Sequence, residues 1–583
     1  MMDKLANERP LEVPLPTTQR LLPLYGAGFE NLGHAGRPVE APLPIYGPDE
    51  LLIRHDACSL CFSDIKVIKV GGAHPRISGR DLTRQPVVLG HELSITVVGV
   101  GASLQDRFKT GQRYTLQPDI FFHGRNMAYG YALQGGLSQY AVLGDEVLRG
   151  DGGCYLLPVQ EKTGYAEAAL TEPWACVNAA YHLDYRTTLQ PGGTTWVIGT
   201  PGHSPQEYRL SRGLQPDSHP ASLILSDVPS SLAEWLKTKA AELGILVTEH
   251  NGLDVPALSG LRTRIVPQGA DDVILLGPAP ADLIAAAAGL LKWRGILNLV
   301  TDQPLPEASP VDVGRLHYDY ITYVGSPGPD IAASYAPVRA SLRQGGNLWV
   351  LGASGPMGHM HVQRAIQMSP HPRSIVATNL SSPRIHEVAA KFTAAAQAGG
   401  ITLTCLTEAA LGREEFDRQL KALTGGRGFD DIMVLAPDVN TIQFAAAHLA
   451  LGGVMNLFVG LSRGTTASID LNAVCDGRQV RFIGNTGSSI DDLKRMLELT
   501  ENGQLATNYS VAAIAGLDGA ADGLRALQEG RFPGKGVIYP QISGLGLTPL
   551  EDLAARLPGV AALLEKGSAW TNAAEKELFR ELL

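Results

Sequence analysis

Gly345-Gly346-Asn347-Leu348-Trp349-Val350-Leu351-Gly352 is a short apolar run entered and left through glycines, the pattern of a buried parallel strand. A near-copy, Gly192-Gly193-Thr194-Thr195-Trp196-Val197-Ile198-Gly199, stands 153 residues earlier. Later landmarks keep step. Ser222 to Asp227 answers Ser374 to Asn379, and the Gly-led strand Gly295 to Val300 answers Gly453 to Val459. Asp271-Asp272-Val273-Ile274-Leu275-Leu276 answers Asp430-Asp431-Ile432-Met433-Val434-Leu435, and Tyr320 to Gly325 answers Gln479 to Gly484, both 159 residues apart. Strands alternate with Ala-rich helical stretches throughout, so the region from Pro191 onward reads as two tandem doubly wound α/β domains produced by duplication.

The copies differ in chemistry. In the second, Gly352, Gly355 and Gly358, with Met357 between the last two, lie on a strand-to-helix turn, and a helix continues through His359-Met360-His361-Val362-Gln363-Arg364-Ala365. Glycines there let backbone approach a pyrophosphate at a helix N-terminus, so these four residues are candidate dinucleotide contacts in a Rossmann-like domain. The first copy keeps Gly199 and Gly202 but has Pro205 where Gly358 stands, and Pro216 follows, so it reads as degenerate or as serving another ligand. Asn379 ends the second strand of the second copy, with Ser381, Ser382 and Arg384 behind it. An acid at that point favours NAD and a neutral residue beside an Arg tolerates NADP, so Asn379 and Arg384 leave both cofactors open, with a slight lean to NADP.

Upstream the character is β-rich. Glu50 to Asp56 alternates as a strand and leads to Cys61-Phe62-Ser63-Asp64, and after a Gly- and Pro-rich passage come Gly90-His91-Glu92 and a run of short strands broken by glycines, which suggests a small, strongly bent sheet or barrel. Tyr165 to Tyr181 suits a helix and carries Glu172-Pro173. A thiol, an imidazole and carboxylates are the donors of a catalytic zinc that keeps one position open. Cys61, His91 and one or both of Glu92 and Glu172 are therefore the candidate metal ligands.

Composition sets the outer bounds. A chain of 583 residues predicts roughly three or four domains. With 44% apolar and 18% charged residues it reads as a folded soluble protein, and a net charge of −10 spread without long runs argues against a nucleic-acid partner. Six scattered cysteines do not form a secreted disulfide framework, Met1 to Arg9 does not read as a signal peptide, and no apolar segment reaches the roughly 20 residues a membrane span needs. A cytoplasmic location is the expectation.

Cys61-Phe62-Ser63-Asp64, Gly90-His91-Glu92, Gly135-Gly136-Leu137-Ser138-Gln139-Tyr140, Glu172-Pro173 and Gly534-Lys535-Gly536-Val537-Ile538-Tyr539-Pro540 together resemble the zinc-containing medium-chain alcohol and polyol dehydrogenases. The stretch from Arg113 to Tyr140 and the run Gly358 to Ala365 look most like their sorbose-1-phosphate reductase branch. The resemblance implies a GroES-like zinc domain over 1–187, a degenerate Rossmann-like domain over 188–342, a cofactor-binding one over 343–505, a return to the catalytic domain over 506–547 and a helical tail over 548–583. It implies zinc held by Cys61, His91 and Glu92 or Glu172, with Ser63 relaying the alcohol proton and Asp64 orienting His91. Lys66 stands where relatives often carry a proton-passing histidine and takes that outer place in the relay. The four-cysteine lobe that holds a structural zinc in many relatives is missing, because no cysteine lies between Cys61 and Cys154, which leaves one zinc per subunit. NAD or NADP, a polyol, sugar or sugar-phosphate substrate and a homo-oligomer, dimer or tetramer, complete the expectation.

Plainer readings stand beside these. Cys58 suits packing, with a paired thiol site beside Cys61 as the alternative; Lys66, Arg76, Arg80 and Arg84 suit a solvated face as well as a substrate phosphate; and His123, Tyr129 and Tyr131 suit aromatic packing as well as a pocket wall. A zinc-free NADPH-dependent reductase of the same fold and a non-catalytic nucleotide sensor are the alternatives to a zinc dehydrogenase.

Overall fold

The computed structural model describes residues 15–583 apart from 78, 203–206, 253 and 381–383, so Pro205, Ser381 and Ser382 lie outside the described residues. The chain divides into two units: Met1–Asn178, Gly355–Met360 and Gly487–Leu583 in one, Ala179–Ser354 and His361–Thr486 in the other. Among the described residues no helix is long and apolar enough to cross a membrane.

The first unit is built on an eight-stranded sheet. Leu51–Ser59 is its centre, flanked by Glu92–Val100, Lys535–Tyr539 and Tyr140–Leu143. The ladder between Leu51–Ser59 and Glu92–Val100 slips register twice, between Leu52 and Ile53 and between His55 and Ala57, and such bulges bend a sheet sharply. Leu51, Ile53, Leu93, Ile95 and Val97 belong to one buried core against this sheet. The chain re-enters the sheet late, so strand Lys535–Tyr539 lies directly on the strand that leads to Cys61. The tail packs on this same unit. Glu575, on the helix Asn572–Leu582, accepts hydrogen bonds from the backbone N–H groups of Tyr165 and Ala166 (2.6 and 2.8 Å) and from the Tyr539 hydroxyl (2.8 Å). It thereby satisfies the free amides at the start of the helix Tyr165–Ala179 that carries Glu172.

His55 sits in the heart of this sheet, with Nδ1 2.9 Å from the Ser138 carbonyl and Nε2 2.9 Å from the Tyr129 hydroxyl. Burial pushes its pKa down from 6.5 to about 4. The unfolded chain therefore takes up a proton at a higher pH than the folded one, so the stabilisation is whole above about pH 6.5 and is lost as the pH falls toward 4. Thermal melts should show the unit losing about 2 kcal/mol from this group between pH 7 and 5, and His55→Gln should flatten the melting temperature over that window.

The second unit contains two six-stranded parallel sheets of identical order. The first runs Leu246–Glu249, Ser222–Ser226, Thr194–Gly199, Ala270–Leu276, Leu291–Val300, Thr322–Ser326. The second runs Thr402–Thr407, Ser374–Asn379, Asn347–Leu351, Phe429–Val434, Leu449–Leu457, Arg481–Gly484. This is the strand order of a doubly wound dinucleotide fold, present twice. The paired aspartates explain why their spacing is so regular. Asp271 accepts from Thr194 N (2.9 Å) and Asp430 from Asn347 N (2.8 Å), while Asp272 holds Arg186 and Asp431 holds Arg339. Each arginine also caps matching carbonyls, Thr188 and Asp271 in one copy, Ser341 and Asp430 in the other. Trp196 donates to Ser226 (2.9 Å) as Trp349 donates to Thr378 (2.8 Å), so even the buried indoles find equivalent partners.

Candidate functional site

Cys61, His91 and Glu92 come together in the first unit, each offering a ligand atom within 4.8 Å of the others. Local structure places each of them. Cys61 ends an extended segment and caps the helix Phe62–Val70, its N–H bonded to the Asp64 carboxylate at 3.0 Å. Gly90 has φ 97°, and a Cβ there would lie 2.6 Å from Cys58 Sγ, so only glycine lets the chain turn into His91. Glu92 then opens the strand Glu92–Val100 opposite Ser59.

Asp64 ties the pieces together. Its Oδ2 accepts from Cys61 N, while its Oδ1 accepts from Gly90 N at 3.3 Å and stands 3.4 Å from His91 Nδ1, an electrostatic contact without hydrogen-bond alignment. Burial would lower the His91 pKa, but Tyr131, Asp64 and Cys61 around it carry the balance well above its usual value.

Glu92 is fully buried and its Oε1 accepts from Lys535 Nζ at 2.6 Å; Oε2 has no hydrogen-bond partner. Lys535 is the residue that reading along the chain missed as part of the site. It is 443 positions away, and the only signal was its place in the Gly534–Pro540 motif.

Glu172 is buried too, but stands outside the group of three. Burial first and the Glu92 charge second push its carboxyl up to about 7. Cys176, one turn on, has its thiol 3.7 Å from Glu172 Oε1 and equally far from Ser488 Oγ. Ser63 is half-buried on the first turn of the Phe62–Val70 helix, and Lys66 is exposed on that helix. Cys58 is fully buried beneath the site, its thiol raised well above the ordinary range by burial.

The arginines separate. Arg80 commits its guanidinium to the carbonyls of Tyr131 and Ala132, which makes it structural, and Arg84 is exposed. Arg76 lies over the Tyr131 ring (5.0 Å to the centroid) and 2.7 Å from Asp119, and Tyr131 in turn lies 5.7 Å from the His91 ring, centroid to centroid. Tyr131 therefore borders the group of donors, whereas Tyr129 is committed to His55 and His123 lies tilted against the neighbouring Phe122 ring.

Gly352 (φ 81°) leaves strand Asn347–Leu351 of the second unit, and the helix Pro356–Gln367 begins after Gly355, with Met357 and Gly358 in its first turn, a stretch that falls in the first unit. A recess at the carboxyl ends of these strands is lined by Gly352, Thr378, Asn379, Leu380, Glu408 and Phe444. Asn379 thus faces it as expected of the residue that ends the second strand, and Arg384 sits at the N-terminus of the helix Ile385–Ala398. Glu408, paired with Arg413 at 2.8 Å, is an acid in the recess that strand reading did not single out.

Residues 47–150 match the family described as the alcohol dehydrogenase GroES-like domain. The chain is 28% identical to L-sorbose 1-phosphate reductase of Klebsiella pneumoniae over 52% of this chain and 76% of that one. It is 29% identical to mannitol-1-phosphate 5-dehydrogenase of Aliivibrio fischeri over 49% and 70%. With sorbitol dehydrogenase of Bacillus subtilis it shares 31% identity over 46% of this chain and 72% of that enzyme. The solved alcohol dehydrogenase of Thermotoga maritima has the same fold, with a TM-score of 0.50 at 14% identity, covering 90% of this chain and all of that one. Identity at this level over nearly three quarters of the Bacillus enzyme, joined to the matched domain, carries the conclusion: the chain belongs to the medium-chain alcohol and polyol dehydrogenase family and is an oxidoreductase.

Proposed function

We propose that this oxidoreductase is zinc-dependent and NAD(P)-linked, and interconverts a secondary alcohol and a ketone on a polyol, sugar or sugar phosphate. The observation that carries the reading is the grouping of Cys61, His91 and Glu92 around one point, with Glu92 Oε2 buried and unpartnered. One thiolate, one imidazole and a carboxylate fit zinc in a site with an open position. Cys61 and His91 would hold the ion together with Glu92 or Glu172. When bound, it supplies Lewis-acid stabilisation of an alkoxide, or polarises the carbonyl in the reductive direction.

The residues do the rest. Asp64 faces His91 Nδ1 and so would orient the imidazole and leave Nε2 free to serve as a ligand. Lys535 balances the charge of Glu92, so that a second buried carboxylate, Glu172, can stand nearby. Ser63 takes the hydroxyl proton from the substrate and passes it outward, toward exposed Lys66. Gly352, Gly355, Met357 and Gly358 would hold the dinucleotide phosphates and Asn379 the adenosine ribose, with Arg384 able to admit a 2′-phosphate. The names of the Klebsiella and Aliivibrio relatives favour a phosphorylated substrate, for which Arg76, lying over the Tyr131 ring that borders the donor group, is the candidate cation.

Turnover of polyols and their 1-phosphates with NAD and NADP tests this. The expected result is hydride transfer with the phosphorylated form preferred, and Arg76→Met should raise KM for the phosphate about tenfold to a hundredfold while leaving the free polyol unaffected. Equal KM changes for both would remove Arg76 from phosphate binding. No turnover on any of them would defeat the substrate reading.

A further inference from the structure

The two nucleotide-type sheets meet along a seam that is the same when read from either side. Strand Ser309–Asp312 of the first copy pairs antiparallel with Thr466–Ile469 of the second, Ser309 opposite Ile469 and Asp312 opposite Thr466. The two strands hold corresponding places, each lying between the fifth and sixth strands of its own sheet. The first residue of each therefore faces the last residue of the other, the signature of an isologous contact.

The glycines repeat the relation. A Cβ on Gly325 would lie 2.8 Å from Cys475 Cβ, and one on Gly484 would lie 2.0 Å from the Leu316 carbonyl oxygen. Gly484 follows Gly325, and Cys475 follows Leu316, by the same 159 residues that separate the copies. One contact is thus made twice about an approximate twofold axis. Ile321 and Tyr323 share one continuous buried core with Val480 and Phe482, and Val313 N and Thr322 Oγ1 donate across the seam to Thr465 O (3.0 Å) and Phe482 O (3.1 Å).

The first copy is not equipped as a second cofactor site. No helix follows Gly199 among the described residues before the strand Ser222–Ser226. A Cβ on Gly199 would lie 2.0 Å from the Asp227 carbonyl oxygen, so this backbone is closed by protein where a pyrophosphate would have to approach. Asp227, the acid at the strand end, has φ 50° and accepts from Gly252 N with both carboxylate oxygens (2.9 and 3.1 Å).

We infer that the first copy acts as a built-in partner domain. It occupies, inside one chain, the self-complementary edge of the second copy that would otherwise be free to pair with another chain, and one dinucleotide binds per chain, on the second copy. The stoichiometry rests on the cofactor reading above; the seam does not. Any association between chains must then use a different surface.

The test has two arms on the full-length protein. Val311 and Ala467 are ladder partners across the seam and touch neither candidate site. In the Val311→Cys/Ala467→Cys protein, oxidation should give a disulfide inside a single chain, seen on non-reducing gels as a faster band at the one-chain mass and not in the unsubstituted protein. Covalent two-chain species in its place would overturn the inference. Calorimetric titration of the unsubstituted protein with NADH and NADPH should give one equivalent per chain, and two would overturn it. Binding of neither would defeat the cofactor reading instead, and the cross-link would still decide the seam.

Discussion

If the proposed zinc site is right, Cys61→Ser is expected to lower kcat by about three orders of magnitude or more and to strip the metal, because the proposed set of one thiolate, one imidazole and one carboxylate loses its soft donor. The size of the effect follows from the several kcal/mol of charge stabilisation such an ion supplies at a developing alkoxide. Folding should survive. The Cys61 backbone N–H, not its thiol, holds Asp64 at 3.0 Å, and a serine hydroxyl can cap the Phe62–Val70 helix as well as a thiol does. Activity retained within tenfold, or metal retained in full, would take Cys61 out of the coordination sphere.

Lys535→Met is expected to destabilise the first unit by about 3–5 kcal/mol, measured by chemical denaturation of the metal-free protein. The pair is almost entirely removed from solvent, with side-chain exposures of 3% for Lys535 and 1% for Glu92. Truncating the lysine leaves a buried carboxylate without its hydrogen-bonded counter-charge and with Glu172 close beside it. The double variant Lys535→Met/Glu92→Gln should recover most of the loss, since both charges are then gone. If the single and double variants were equally unstable, the cost would lie in packing at the junction of strands Leu51–Ser59 and Lys535–Tyr539 and not in the ion pair.

Much of this architecture was readable because its physics is local. The two strands that begin Gly192 and Gly345 announce themselves by apolar runs between glycines, and Asp271-Asp272 and Asp430-Asp431 recur because each pair fastens the same backbone amides and the same arginine. Cys61, His91 and Glu92 could be picked out as candidate ligands by residue type, and Gly90 marks the turn that delivers His91. What stayed hidden is what the chain assembles over long distances. Lys535 is one lysine among many until strand pairing puts it on Glu92. Pro205 and Pro216 already mark the first copy as degenerate or as serving another ligand, but the Asp227 carbonyl that closes on Gly199 is not visible in the sequence. The strand Ser309–Asp312 carries Pro310 and no alternation, so only its partner Thr466–Ile469 makes it a strand at all.

The central claim is that one zinc, held by Cys61, His91 and a carboxylate, is required for hydride transfer. It is tested most directly by elemental analysis of the purified chain, with activity followed through chelation and re-addition of zinc. About one zinc per chain is predicted, with activity lost on chelation and restored by zinc in the unsubstituted protein but not in Cys61→Ser. A metal-free chain that turns over at the full rate would contradict it.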